Sequence, residues 1–99
     1  MINYGKQSIS PEDIESVKKT LKSNFLTQGP VVQKFEKKLS EYFNSKYTLA
    51  VSSGTSALNI VGKVLNWKKN DLVIVSPITF LATANCIERS GAIPVFVDI

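Results

Sequence analysis

The first half of the chain alternates polar stretches with apolar residues three and four positions apart. In residues 14–21 this spacing follows a helix-start signal, in which Ser10 can cap the helix and Pro11 suits its first turn. A second apolar series at residues 31–43 predicts another amphipathic helix, ending near residues 44–46. The sequence therefore predicts two helices joined by an irregular connection around residues 25–30.

Beyond residue 46 the pattern changes to short, wholly apolar runs separated by helical runs. The runs that predict strands are residues 47–51, 71–75 and 93–97. The runs that predict helices are residues 56–65 and 80–90. Strands that are apolar throughout indicate parallel pairing with both faces covered. The predicted class is α/β, with two leading helices followed by a βαβαβ unit.

This pattern also predicts how the chain is organised. We expect a helical segment at residues 1–46 and the start of a larger α/β domain at residues 47–99. Three strands of the buried type leave a sheet edge open, and soluble proteins normally cover such edges. We therefore expect the chain to be the first part of a longer protein.

Composition excludes several classes of function. The net charge is +4, but the lysines alternate with glutamates on polar helix faces and are not interleaved with aromatic residues, so nucleic-acid binding is not predicted. No run approaches a membrane span, and the first residues lack an apolar signal core, so a cytoplasmic location is expected. The chain has no histidine, we expect no metal site, and its one cysteine, Cys86, lies among apolar residues and is predicted to be buried.

The most informative segment is residues 51–58, where a predicted strand passes into a predicted helix. Gly54, Thr55 and Ser56 fall at that helix start, where unpaired backbone amides and the helix dipole favour a phosphate group. Glycine permits close backbone approach, and the two hydroxyls can donate hydrogen bonds. A purely structural alternative is a serine or threonine cap after a tight turn.

A second loop, at residues 76–80, follows the next predicted strand. In a parallel sheet both loops emerge at the carboxyl edge, where ligands bind in open α/β folds. Phe80, at the end of this loop, can lay its ring against a planar cofactor, or it can instead be a packing residue at a helix start.

Together these segments resemble the N-terminal part of the DegT/DnrJ/EryC1/StrS sugar aminotransferases. The residues that carry the resemblance are 26–30 (LTQGP) with 35–36 (FE), 53–58 (SGTSAL), 76–85 (SPITFLATAN) and 91–98 (GAIPVFVD). The resemblance implies the large domain of an aspartate aminotransferase-like, fold type I enzyme that uses pyridoxal 5′-phosphate (PLP). It covers the whole chain, or about the first quarter of a typical member.

The resemblance also implies roles for individual residues. It assigns Gly54, Thr55 and Ser56 to the cofactor phosphate and Phe80 to stacking on the pyridine ring. It places Tyr4 and the consecutive residues Asn24, Phe25, Leu26 and Thr27 at the nucleotide-sugar substrate. The Schiff-base lysine and the carboxylate that holds the pyridine nitrogen would lie beyond Ile99, so no catalytic residue is assigned here.

Within the family, residues 4–9, 25–30 and 77–80 look most like a branch that acts in pseudaminic acid biosynthesis. The resemblance then implies transfer of an amino group from glutamate to carbon 4 of a UDP-linked 4-keto-6-deoxy-N-acetylhexosamine, by a homodimer. Two alternatives stay open at this stage. One is a PLP-dependent sugar dehydratase of the same family, and the other is a non-catalytic α/β module that binds a phosphate or nucleotide.

Overall fold

The computed structural model describes residues 5–99, which contain four helices and two strands. In chain order these are α1 (Pro11–Leu21), α2 (Pro30–Tyr42), α3 (Gly54–Val64), β1 (Leu72–Val75), α4 (Leu81–Arg89) and β2 (Ile93–Phe96). None of the helices in this part of the chain combines the length and the apolar character needed to cross a bilayer. The chain divides into two compact units, Met1–Ala50 and Val51–Ile99. The domain boundary predicted after residue 46 stays a prediction.

In the first unit, α1 begins with the cap that the sequence predicts. The Ser10 hydroxyl accepts a hydrogen bond from the Asp13 amide at 3.2 Å, and the Asp13 carboxylate accepts one from the Ser10 amide at 2.8 Å. This reciprocal pair satisfies two amides that the helix leaves free. The second helix, α2, begins after Gly29 and ends at Tyr42, slightly earlier than predicted, because Asn44 takes a left-handed conformation with φ of 49°.

The apolar stripes of α1 and α2 are present but exposed. Ile14, Val17 and Leu21 are 61%, 59% and 65% exposed, and neither helix contributes a buried residue within the described part of the chain. The predicted spacing is therefore correct. However, the side chains of these stripes stay largely exposed within the described part of the chain.

The strand predicted at residues 47–51 is wrong, because this segment has no ladder of backbone hydrogen bonds. A strand exists only where a neighbouring strand pairs with it, and apolar composition alone does not supply that neighbour. Here the Ala50 amide donates instead to the Glu36 carboxylate, at 2.8 Å. The expected βαβαβ unit is thus reduced to α3–β1–α4–β2 within residues 5–99.

The second unit is built around a two-stranded parallel sheet. β1 and β2 pair in register from Leu72 with Ile93 to Val75 with Phe96, and α4 connects them. The α/β class and the parallel pairing predicted from the sequence are confirmed. The strands are slightly shorter than predicted, and α4 occupies nearly the whole predicted helical run at residues 80–90.

The core of the second unit lies under α4. Its buried members are Cys86, Ile87 and Ala92, and they are packed by Leu58, Trp67, Val73 and Val75. Cys86 is 3% exposed, which confirms its predicted packing role. α3 approaches this core closely at Gly62, where an added Cβ would collide with the Ser90 hydroxyl and lie 3.2 Å from the Trp67 ring. Gly62 therefore permits the contact between α3 and α4.

Candidate functional site

The start of α3 is capped by Ser53, as the structural alternative predicts. Ser53 is extended (φ −164°, ψ 161°), and its hydroxyl oxygen accepts a hydrogen bond from the Ser56 amide at 3.1 Å. The Ser56 hydroxyl lies 3.0 Å from that of Ser53 and 3.1 Å from that of Ser52. The cap thus uses one amide of the first turn and groups three serine hydroxyls beside it.

Two amides of the same turn remain available. Within residues 5–99 the amides of Gly54 and Thr55 have no hydrogen-bond partner, whereas the Ala57 amide already donates to the Ser53 carbonyl at 3.1 Å. Free amides at a helix N-terminus carry partial positive charge and bind anions. The Ser53 cap therefore leaves room for an anion at the start of α3, because the two would use different donors.

Gly54 has no structural reason of its own to be glycine. Its φ is not positive, since Gly91 is the one glycine with positive φ among the described residues. An added Cβ would have nothing within 4 Å in this part of the chain. The space beside Gly54 is therefore open, and a group can approach its backbone closely.

The α3 start and Phe80 meet at one open cleft of about 510 Å³. Its lining residues are Gly54, Thr55, Ala57, Leu58, Phe80 and Ala82. Phe80 is 78% exposed, so its ring is free to contact a bound molecule. The structure thus brings together three of the four residues predicted for the cofactor, although they come from loops about 25 positions apart. Ser56 adjoins the same turn without lining the cleft.

The chemistry of this cleft suits a planar molecule that carries an anionic group. None of its lining residues is ionisable, so the positive end of α3 supplies the field for an anion. The apolar lining and the phenyl ring suit a flat, largely apolar body. Ala57, Leu58 and Ala82 were not predicted as lining residues. Helical spacing could have indicated Ala57 and Leu58, which lie about one turn after Gly54. Ala82 lies two positions after Phe80.

The residues predicted for the substrate lie elsewhere in the chain. Asn24, Phe25, Leu26 and Thr27 are exposed in the connection between α1 and α2, in the first unit. This connection is compact, because a Cβ on Gly29 would lie 2.7 Å from the Phe25 Cβ and Gln28 is left-handed with φ of 50°. Tyr4 lies outside the described residues. Roles for all five in substrate binding stay predictions.

Comparison with known proteins identifies the family. The DegT/DnrJ/EryC1/StrS aminotransferase family matches residues 7–99, nearly the whole chain. The chain belongs to this family. The fold is that of the family's N-terminal region, and forms with PLP or with its amino derivative PMP occur among the matching solved structures. The family resemblance seen in the sequence is confirmed.

Three relatives illustrate which proteins this chain is similar to. It is 44% identical over 96 residues to the spore coat polysaccharide biosynthesis protein SpsC of Bacillus subtilis, covering 97% of this chain and 25% of that protein. It is 40% identical over 99 residues to a UDP-4-amino-4,6-dideoxy-N-acetyl-beta-L-altrosamine transaminase of Campylobacter jejuni, covering 100% of this chain and 26% of that one.

The third relative is a solved structure. It is the GDP-4-keto-6-deoxy-D-mannose-3-dehydratase of Escherichia coli with bound hydrated PLP, at 29% identity and a TM-score of 0.87, covering 100% of this chain and 28% of that one. The chain thus spans about a quarter of the length of the relatives it matches. The family therefore includes both transaminases and a dehydratase over this region.

Proposed function

We propose that this chain is the cofactor-phosphate region of a PLP-dependent sugar aminotransferase. The observation that carries the proposal is the cleft in which Gly54, Thr55 and Phe80 meet, in a chain of an aminotransferase family. The two free amides fit a phosphate dianion, and the open space beside Gly54 fits its close approach. The exposed Phe80 ring fits a planar heterocycle.

Each residue has a defined task in this proposal. Gly54 and Thr55 donate backbone hydrogen bonds to the phosphate, and the Ser56 hydroxyl, beside the cap, adds a side-chain donor. Phe80 covers one face of the pyridine ring and excludes water from it. PLP, when bound, supplies the electron sink that transamination requires. The chain's own residues hold and orient that group, and the Schiff-base lysine would come from beyond Ile99.

For the substrates, we infer glutamate as amino donor and a UDP-linked 4-keto-6-deoxy-N-acetylhexosamine as acceptor. The support is the 40% identity with the Campylobacter transaminase, together with the resemblance at residues 25–30 and 77–80. Tyr4 and residues 24–27 would contact the nucleotide-sugar. We further infer a cytoplasmic homodimer, in keeping with the resemblance.

The test is an activity assay on the complete enzyme. With PLP, glutamate and the UDP-4-keto-sugar, we expect 2-oxoglutarate and the UDP-4-amino-sugar in equal amounts. Loss of a sugar hydroxyl without a stable amino product would instead identify a dehydratase, which the Escherichia coli relative makes the second candidate. PLP binding without turnover of either kind would favour the non-catalytic alternative.

A further inference from the structure

The residues on either side of Phe80 make hydrogen bonds that the proposed cofactor site does not explain. The hydroxyls of Thr79 and Thr83, which precede and follow it, lie 2.9 Å apart. The Thr83 amide also donates to the Phe80 carbonyl, at 2.9 Å. Together these two bonds connect Thr83 both to Phe80 and to the residue before it.

The Phe80 ring itself has little packing to hold it. It is 78% exposed, and its neighbours Ile78 and Leu81 are 77% and 69% exposed. Phe80 occupies the cap position of α4 in an extended conformation (φ −73°, ψ 143°), and its side chain makes no capping bond. The direction in which the ring projects therefore depends on its backbone more than on contacts of the ring.

The hydroxyl pair is suited to fixing that backbone. Thr79 immediately precedes the ring-bearing residue, and Thr83 lies in the first turn of α4, which packs through Cys86 and Ile87 into the core. A bond between the two hydroxyls ties the loop end to a helix that packs into the core. The Thr83 carbonyl also accepts a hydrogen bond from the thiol of the buried Cys86, at 3.0 Å, which links Thr83 to the core.

We propose that Thr79 and Thr83 are positioning residues that hold the Phe80 ring at the mouth of the cleft, over the place of the cofactor's planar ring. This inference rests on the proposed function, since it needs PLP in the cleft. Neither threonine lines the cleft, so both act through Phe80. If the pair only stabilised the start of α4, its loss would change stability and leave cofactor binding intact.

The experiment measures PLP affinity of the complete enzyme by absorbance titration of the apo form. Thr79→Val and Thr83→Val each remove one hydroxyl at nearly constant volume, and each is expected to weaken PLP binding roughly two- to tenfold. Thr79→Ser and Thr83→Ser keep the hydroxyls and should restore the affinity. Thr20→Val is the matched control, because among residues 5–99 its hydroxyl bonds within α1, to the Ser16 carbonyl at 3.0 Å.

Repeating both valine variants in a Phe80→Leu background separates the possible outcomes. If the pair acts through the ring, neither variant weakens PLP binding further once the ring is gone. If the valine variants weaken PLP binding as much in the Phe80→Leu background as in the wild type, the inference is overturned. It is also overturned if Phe80→Leu weakens PLP binding while both valine variants bind PLP with unchanged affinity. If Phe80→Leu alone leaves PLP affinity unchanged, the stacking role in the proposed function fails and the inference fails with it.

Discussion

Replacing Gly54 tests the proposed phosphate site, because its effects on stability and on PLP affinity can be measured separately. In the structure a Cβ at this position has nothing within 4 Å among the described residues, and the backbone there is not left-handed. Gly54→Ala should therefore fold normally. It should even gain up to about 1 kcal/mol of stability, because alanine loses less backbone entropy in a helix than glycine.

Cofactor binding should change in the opposite direction. A methyl group in the open space beside the α3 amides keeps the phosphate from its closest approach. Loss of one hydrogen bond to a charged group costs about 1.5–3 kcal/mol, which weakens PLP binding roughly tenfold to a hundredfold. Gly54→Val, with a larger and β-branched side chain, should weaken it at least as much. The assay is titration of the apo-enzyme with PLP, paired with urea unfolding of the same samples.

Gly62→Ala is the matched control on the same helix. Gly62 does not line the cleft. The Cβ that alanine adds there would collide with the Ser90 hydroxyl and lie 3.2 Å from the Trp67 ring. Overpacking of this kind destabilises by about 1–3 kcal/mol, so this variant shows how much PLP affinity is lost through disturbed packing of α3 on α4 alone. Normal PLP affinity in both Gly54 variants would refute the phosphate assignment. So would a loss of affinity that only follows a loss of stability.

Three further predictions concern the rest of the chain. Ser10→Ala removes the cap of α1 and should cost about 1 kcal/mol in urea unfolding, with Ser16→Ala, within α1, as a control that should change little. The Glu12 backbone amide, and then the Ser10 hydroxyl, lower the pKa of Glu12. Its charged form therefore stabilises the fold above the ordinary glutamate pKa, and this contribution is lost as pH falls through the lowered value. Glu12→Gln should flatten that part of the acid unfolding curve, and an unchanged curve would contradict the assignment. Finally, the 99-residue chain alone should form no 2-oxoglutarate from glutamate and the UDP-4-keto-sugar, because the proposed Schiff-base lysine is not among its residues; turnover by it would refute that assignment.

The starts of α1 and α2 were predictable because their signals are local. Ser10 with Pro11 and Gly29 with Pro30 act within a single turn, through caps and a fixed proline φ, whatever lies elsewhere in the chain. The apolar runs of β1 and β2 were predictable because wholly apolar strands favour parallel pairing. One face of the paired strands packs against the core under α4, whereas Leu72 and Ile74 of β1 are 68% and 74% exposed among the described residues. The four sequence segments also sufficed to recognise the family.

Other features depend on partners distant in sequence. Residues 47–51 have the composition of a strand, but a strand requires a paired neighbour, and the Ala50 amide bonds to Glu36 instead. Apolar spacing on α1 gives the stripe but not what covers it. The candidate site likewise combines local and distant features. The helix start suited to a phosphate and the aromatic residue could each be proposed from local residues, but their meeting at one cleft could not.

The sequence by itself thus determined the helices, the α/β class and the types of residue suited to PLP, because these follow from short-range backbone and periodicity constraints. Only the tertiary structure decided that Gly54, Thr55 and Phe80 line one cleft. That juxtaposition depends on how α3 and α4 pack over the core, with Gly62 against Ser90, and local sequence signals do not encode that packing.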